Sequence, residues 1–346
     1  MAKTHKHLWE QVSSLGNLME AAGLAMRGKR SLAATAGFHS KWELECVNLS
    51  EELENGSYTP GAYRYFKIYE PKERIVAAAP FRDRVVHHAL VRVLEPIFEP
   101  RFLEDSYACR KGKGTHAGMR RALHHARRHP YALKCDLKRY FPSIDHGILT
   151  KEISRVVGDA RVMELIGKIL ASHRDGTRRV WHGEELFDFT DHPHGLPIGN
   201  LTSQFFANIH LDRFDHFVKQ ELRVPGYVRY VDDFILFGPD RAALHGWGRQ
   251  CRKYLAARRM EIHPDKYRLC RTAEGVDFCG FVVRADGRVK LRASGVRRFQ
   301  RRYRKIKHEW LHGRCEIVEL RDAVRSWVAH AGHAQTWRLR CKVLAP

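Results

Sequence analysis

Residues Gly226–Gly238 read GYVRYVDDFILFG, two runs of strand-forming residues that meet at Asp232 and Asp233. Tyr227, Val228, Tyr230 and Val231 on one side, and Phe234, Ile235, Leu236 and Phe237 on the other, combine β propensity with buried-strand apolarity. The spacing predicts a hairpin with both carboxylates at its tight turn. Asp is also an ordinary turn residue, because it bonds its own backbone and stays solvated there, so the pair alone reads equally as a turn or as a seat for Mg²⁺. A second strand changes the balance: YALKCDLKRYF (Tyr131–Phe141) is a short apolar run ending in Asp136, followed by a turn and an aromatic. Three carboxylates on neighbouring strand ends can hold two Mg²⁺ about 3.5–4 Å apart, the arrangement that clamps the attacking and leaving oxygens in phosphoryl transfer.

The 346 residues suffice for two or three packed subdomains, and 61 Lys and Arg against 39 Asp and Glu leave a net charge of +22. Such an excess favours a polyanionic partner through counterion release. No apolar run is long enough to span a membrane, and the N-terminal MAKTHKHLWEQV lacks the apolar stretch of a secretory signal. The eight Cys are scattered without a C-x-x-C pair and read as reduced thiols of a cytoplasmic protein. His182, His192 and His194 fit no zinc spacing and read as solvated loop histidines.

Amphipathic spacing predicts helices through Leu8–Leu18, Trp42–Leu53, Val85–Phe98 and about Arg241–Arg258. A hairpin is predicted from Tyr63–Tyr69 and Arg74–Ala78, and a polar, irregular connection from His173–Gly195. Near the C-terminus Val296, Phe299, Tyr303, Ile306 and Trp310 recur at steps of three and four. Arg297, Arg298, Arg301, Arg302, Arg304 and Lys305 fill the positions between them. One face should bury itself while the other, with no acidic residue among its six cations, meets phosphate.

Taken in order, six segments resemble the successive motifs of a reverse transcriptase. They are EPKERIVAAAPFRDRVVHHAL (Glu70–Leu90), SYACRKGKGTHAG (Ser106–Gly118), KCDLKRYFPSIDH (Lys134–His146), YVDD (Tyr230–Asp233), HPDKYRL (His263–Leu269) and VDFCGFVV (Val276–Val283). In GLPIGNLTSQFFANIHLDRFD (Gly195–Asp215) most reverse transcriptases have Gln-Gly and then Ser-Pro, whereas this chain has Ile198-Gly199 and then Ser203-Gln204. That I-G-x-x-x-S-Q pattern resembles the enzymes of diversity-generating retroelements, which copy a template-repeat RNA with errors at adenine. The ending SWVAHAGHAQTW (Ser326–Trp337) is similar to the thumb of the same group.

The resemblance implies an α+β right-hand polymerase fold with an antiparallel palm sheet covered by helices. Fingers are expected over residues 1–118, palm over 119–147 and 196–286, a fingers or connecting insertion over 148–195, and a helical thumb over 287–346. It implies that Asp136, Asp232 and Asp233, with the Leu137 carbonyl, bind two Mg²⁺. Lys266 would protonate the leaving pyrophosphate, and Asp145 would only cap a turn or helix. Phe141, five residues after Asp136, takes the place of the steric gate against ribonucleotides, leaving Tyr140 for the core.

Arg74 and Arg84, with Lys72 and Arg82 as weaker candidates, would bind the triphosphate of the dNTP. Gly199 lets backbone approach the nucleotide. Ile198 and Gln204 shape nucleotide selection, Ile198 offering an apolar contact where Gln could hydrogen-bond. Arg110, Lys111 and Lys113 would follow the template backbone, Arg297, Arg301 and Arg304 the product duplex, and Phe278 and Gly280 the primer end. Implied partners are the template-repeat RNA, its cDNA and an oligomeric accessory variability protein, in a bacterial or phage-encoded system with no membrane.

Overall fold

The computed structural model describes residues 4–28, 33–69, 73–173 and 192–345. Lys72, the Glu70–Pro71 turn, His182 and most of the polar connection after His173 lie outside the described residues. Among those described, nine strands form three antiparallel sheets and the rest is mainly helix, the expected α+β class. The chain divides into two compact units. One holds Leu137–His216, Arg252–Glu261 and the chain up to Leu103; the other holds Glu104–Asp136, Phe217–Cys251 and everything from Ile262 onward.

In the first unit the helices Leu15–Met26, Trp42–Glu54 and Phe81–Phe98 pack through Leu18, Cys46, Leu49, Val85, Val86, Leu90 and Leu94, all fully buried. The predicted hairpin is β1 (Arg64–Ile68) with β2 (Arg74–Ala78), in register from Arg64↔Ala78 to Ile68↔Arg74. Helices His146–Ser154, Ala160–Ala171 and Leu201–His216 also belong to this unit. Asp145 caps the first of them, accepting from the Ile148 amide at 2.8 Å and pairing with Arg259 at 2.7 Å. It is a helix cap, as expected.

The second unit is built on a sheet of order β4-β5-β3-β6, from β3 (Tyr131–Asp136), β4 (Gly226–Tyr230), β5 (Asp233–Gly238) and β6 (Arg268–Arg271). Period-2 alternation sends Ala132, Val228, Ile235 and Phe237 into a core with Met119, Ala122 and Ala126 of the helix Thr115–Ala126. The same core takes Val276, Phe278, Phe281, Val283 and Val289 from the three-stranded sheet β7 (Val276–Phe278), β8 (Phe281–Val283) and β9 (Val289–Leu291). Helices Ala293–Leu311, Ile317–Ala331 and Trp337–Leu344 follow, joined by a small core in which the Phe299 and Trp327 rings stack at 4.2 Å. The predicted apolar stripe on Ala293–Leu311 is closed only there. Phe299 alone is buried, and Trp310 remains 38% exposed.

Candidate active site

β3 and β5 pair so that Asp136 stands directly opposite Asp233, and Tyr230 pairs with Asp233 across the hairpin. The turn is therefore Val231-Asp232, and Asp233 is the first residue of β5 rather than a turn residue. Val231 sits at φ +56, a left-handed conformation that costs a β-branched residue about 1–2 kcal/mol. What holds it is Arg229, a fully enclosed side chain whose Nη1 donates to the Val231 carbonyl at 3.0 Å. The Arg229 backbone is itself fixed, donating to the Asp105 carbonyl and accepting from the Tyr107 amide, each at 2.9 Å.

Two lysines neutralise the strand carboxylates. Lys266 Nζ lies 2.5 Å from Asp136 Oδ1, and Lys134 Nζ lies 3.1 Å from Asp233 Oδ2 while donating to the Asp277 carbonyl at 2.8 Å. Lys266 was expected near this centre; Lys134 was missed. Its signal is period-2 spacing, because Lys134 and Asp136 share a strand face. Asp233 is pushed up to about 6, mainly by burial, with the Asp136 and Asp232 charges adding and Lys134 opposing. Its Oδ1 is buried without a hydrogen-bond partner.

A buried, unsatisfied carboxylate oxygen beside a second carboxylate is a donor set that fits a hard divalent cation. Among the described residues, however, no three His, Cys, Asp or Glu side chains converge tightly enough to hold an ion by themselves. The expected three-carboxylate cage is thus drawn as a facing pair, Asp136 and Asp233, with Asp232 at the turn. Like charges repel, and each strand carboxylate is held to a lysine instead of to its neighbours.

Residues expected around the incoming nucleotide cluster in the first unit. The Ile198 carbonyl accepts from the Ala77 amide of β2 at 3.0 Å. Gly199 has φ +116, and a Cβ there would stand 2.9 Å from Val76 Cγ1, so only glycine fits. Ile198 is half-buried and Gln204 is exposed at the start of its helix. Asn200, which was missed, is buried with its Nδ2 unpartnered, an orphan in a loop otherwise tied down by hydrogen bonds. Arg84 is anchored by its Nε on the Ala79 carbonyl at 2.9 Å, and burial together with the nearby Arg64 charge lowers its proton affinity. Two arginines that repel each other form a natural place for an anion; Arg64 was also missed. Arg74 is exposed, whereas Arg82 is occupied by Glu52 at 2.6 Å. Tyr140 is core, its hydroxyl donating to the Ala207 carbonyl at 2.6 Å, and Phe141 beside it is half-exposed. Leu137 is buried.

In the second unit, Arg110 donates to the Ser106 carbonyl at 2.9 Å, Lys111 is exposed, and Lys113 is paired with Glu104. The β7–β8 turn has Cys279 at φ +50 and Gly280 at φ +86, the two left-handed residues that a tight two-residue hairpin requires. Burial, with the Asp233 charge second, pushes the Cys279 thiol up to about 12, which places this turn within electrostatic reach of the acidic pair. Phe278 is a correction: it is fully buried in the core and cannot touch a primer, so its part is to seat the turn. Arg297, Arg301 and Arg304 are all exposed on their helix.

The family described as reverse transcriptase (RNA-dependent DNA polymerase) matches residues 69–283, more than half of the chain and the whole of the acidic hairpin. The chain belongs to this reverse transcriptase family. Among curated relatives, protein YkfC of Escherichia coli is 26% identical over 68% of this chain and 70% of its own length. The group II intron-encoded protein LtrA of Lactococcus lactis is 22% identical, covering 90% of this reverse transcriptase but only 60% of LtrA. Among solved structures, apo telomerase from Candida tropicalis superposes with a TM-score of 0.50 at 12% identity, over 73% of this chain and 53% of that one. The likeness bears out the right-hand polymerase fold. Reverse transcriptases are nucleotidyltransferases that work with divalent metal ions, which agrees with the donor set at Asp136 and Asp233. No described helix is long and apolar enough to cross a membrane.

Proposed function

We propose that this reverse transcriptase is the error-prone polymerase of a diversity-generating retroelement, copying a template-repeat RNA into cDNA altered at adenines. One feature carries the finer reading: Ile198 stands where a hydrogen-bonding Gln is usual, on a loop whose position is fixed by the Ala77–Ile198 bond and by Gly199 against Val76. An apolar side chain there leaves the nucleotide's pose less restricted, because discrimination is strongest when a site's polar groups would otherwise go unpaired.

Asp136, Asp232, Asp233 and the Leu137 carbonyl would hold two Mg²⁺. The chemistry supplied by the bound ions is a more acidic primer 3′-hydroxyl and a neutralised leaving pyrophosphate. Around that centre Lys134 keeps Asp233 oriented, and Lys266, already on Asp136, is the ammonium available to protonate the departing pyrophosphate. Phe141 would exclude a 2′-hydroxyl, Arg74, Arg84 and Arg64 would bind the triphosphate, and the turn at Gly280 would seat the primer end. An oligomeric accessory variability protein is the further partner of this reading.

The likeness to LtrA favours a second reading, a group II-like reverse transcriptase of ordinary fidelity. Sequencing cDNA made by wild type and Ile198→Gln on an adenine-containing RNA separates them. High adenine error in wild type that falls in the variant is the expected result; faithful copying by wild type supports the second reading, and an unchanged error rate in Ile198→Gln removes Ile198 from the account. Asp233→Asn is the control for catalysis: it should abolish primer extension without lowering Tm, because the buried carboxylate it removes is held in an unfavourable charged state.

A further inference from the structure

The helix Thr115–Ala126 buries one side in the core of the second unit and turns Arg120, His124 and, just past its end, Arg127 and Arg128 to solvent. Together with Leu123 these side chains line an open groove of about 620 Å³. Among the described residues none of the three arginines has a carboxylate partner. Arg128 bonds the imidazole of His124, and the neighbouring acid, Asp105, is taken by Arg121 at 2.6 Å. The uncompensated field is felt locally: besides burial, Arg128 and Arg121 hold His124 below its ordinary range, and Arg128 and Lys219 do the same to His129. Arg127 and Arg128 stand just before the start of β3, while Asp136 is its last residue. The five steps from Tyr131 to Asp136, at about 3.3 Å each, set the start of the strand, next to the patch, roughly 17 Å from the acidic centre.

We propose that this helix face is a second nucleic-acid site, binding the phosphodiester backbone of a folded duplex away from the point of synthesis. Arginine forks match phosphate oxygens in pairs, and an open groove lined by three arginines and a histidine suits a hydrated backbone. Arg120 to Ala126 spans about 9 Å of helix rise and Arg127 and Arg128 extend the patch beyond it, enough to meet two or three phosphates. The site is independent of the polymerase reading, since binding is measured without nucleotides and stands or falls whether or not the chain extends a primer.

The test uses the full chain, a 20-base-pair RNA hairpin and a DNA hairpin of the same sequence, with affinity measured across salt concentrations. Replacing Arg120, Arg127 and Arg128 together by Ala should weaken hairpin binding about 10- to 100-fold and lower the salt slope by about 2–3. Retaining charge with three Lys should restore most of both. Preference for the RNA hairpin would identify template RNA as the source of the duplex, and equal loss on both would identify backbone recognition in general. Bound hairpin should also shield the three arginines from an arginine-modifying reagent, read by mass spectrometry. Unchanged affinity and slope, equal modification with and without hairpin, or loss of binding to poly-glutamate but to neither hairpin would each overturn the proposal.

Discussion

Replacing Gly199 by Ala probes the loop on which the fidelity argument rests. At φ +116 an L-residue pays about 1–3 kcal/mol in backbone strain. The added Cβ would lie 2.9 Å from Val76 Cγ1 and 3.5 Å from the Ala77 carbonyl, so Val76 must also give way, at about 1 kcal/mol or more. A total of at least about 2 kcal/mol falls on a segment tied to β2 by the bond from the Ala77 amide to the Ile198 carbonyl. If the loop lets go of β2, an apparent dNTP KM about 30-fold higher is expected with little change in Tm. If the bond holds, the cost appears as a lower Tm. Steady-state incorporation and thermal melting read the two outcomes separately. Adding Val76→Ala removes the contact but not the strained φ, so the double variant should recover only part of the loss. Wild-type KM and Tm in Gly199→Ala would refute the close approach, and full recovery in the double variant would refute the strain.

Stability should fall on mild acidification. Burial, with His88 and Arg84 nearby, pulls His87 down to about 3, and burial beside Arg121 does the same to His125, against an ordinary 6.5. Between those values the unfolded chain binds protons that the folded one refuses, so stability is complete above about pH 6.5 and is lost below it, by roughly 1 kcal/mol per histidine from pH 7 to 5.5. Thermal melts should show this loss, reduced in His125→Phe; a flat pH profile in wild type contradicts it. Arg229→Met keeps the apolar stem but withdraws the donor from the Val231 carbonyl, costing about 1–3 kcal/mol. Primer extension should then fall further than the Tm shift explains, as the strained turn relaxes and carries Asp232 with it; activity tracking Tm alone would make Arg229 a plain packing residue.

The parts legible in the sequence are those whose physics is local. Alternation across Gly226–Gly238 and Tyr131–Asp136 gave the strands, and their lengths brought Asp136 opposite Asp233, because two apolar runs that end in carboxylates align when their apolar residues share a face. Asp145 was readable as a cap for the same reason. The misses are residues whose role depends on a partner far along the chain. Lys134 meets Asp233 and Asp277, Arg229 serves a turn two residues away with its backbone pinned by Asp105 and Tyr107, and Arg64 matters through Arg84. Phe278 failed in the opposite direction, an aromatic beside the Gly280 turn that the core claimed. These cases share one rule. In this sheet the carboxylates can be found by pattern, but the cations that make a buried acidic pair tolerable cannot, because a lysine or arginine inside a strand is equally compatible with solvent until the opposing strand is known. An inward cation two residues from a strand-end carboxylate is the nearest approach to a sequence signal, and Lys134 and Asp136 satisfy it.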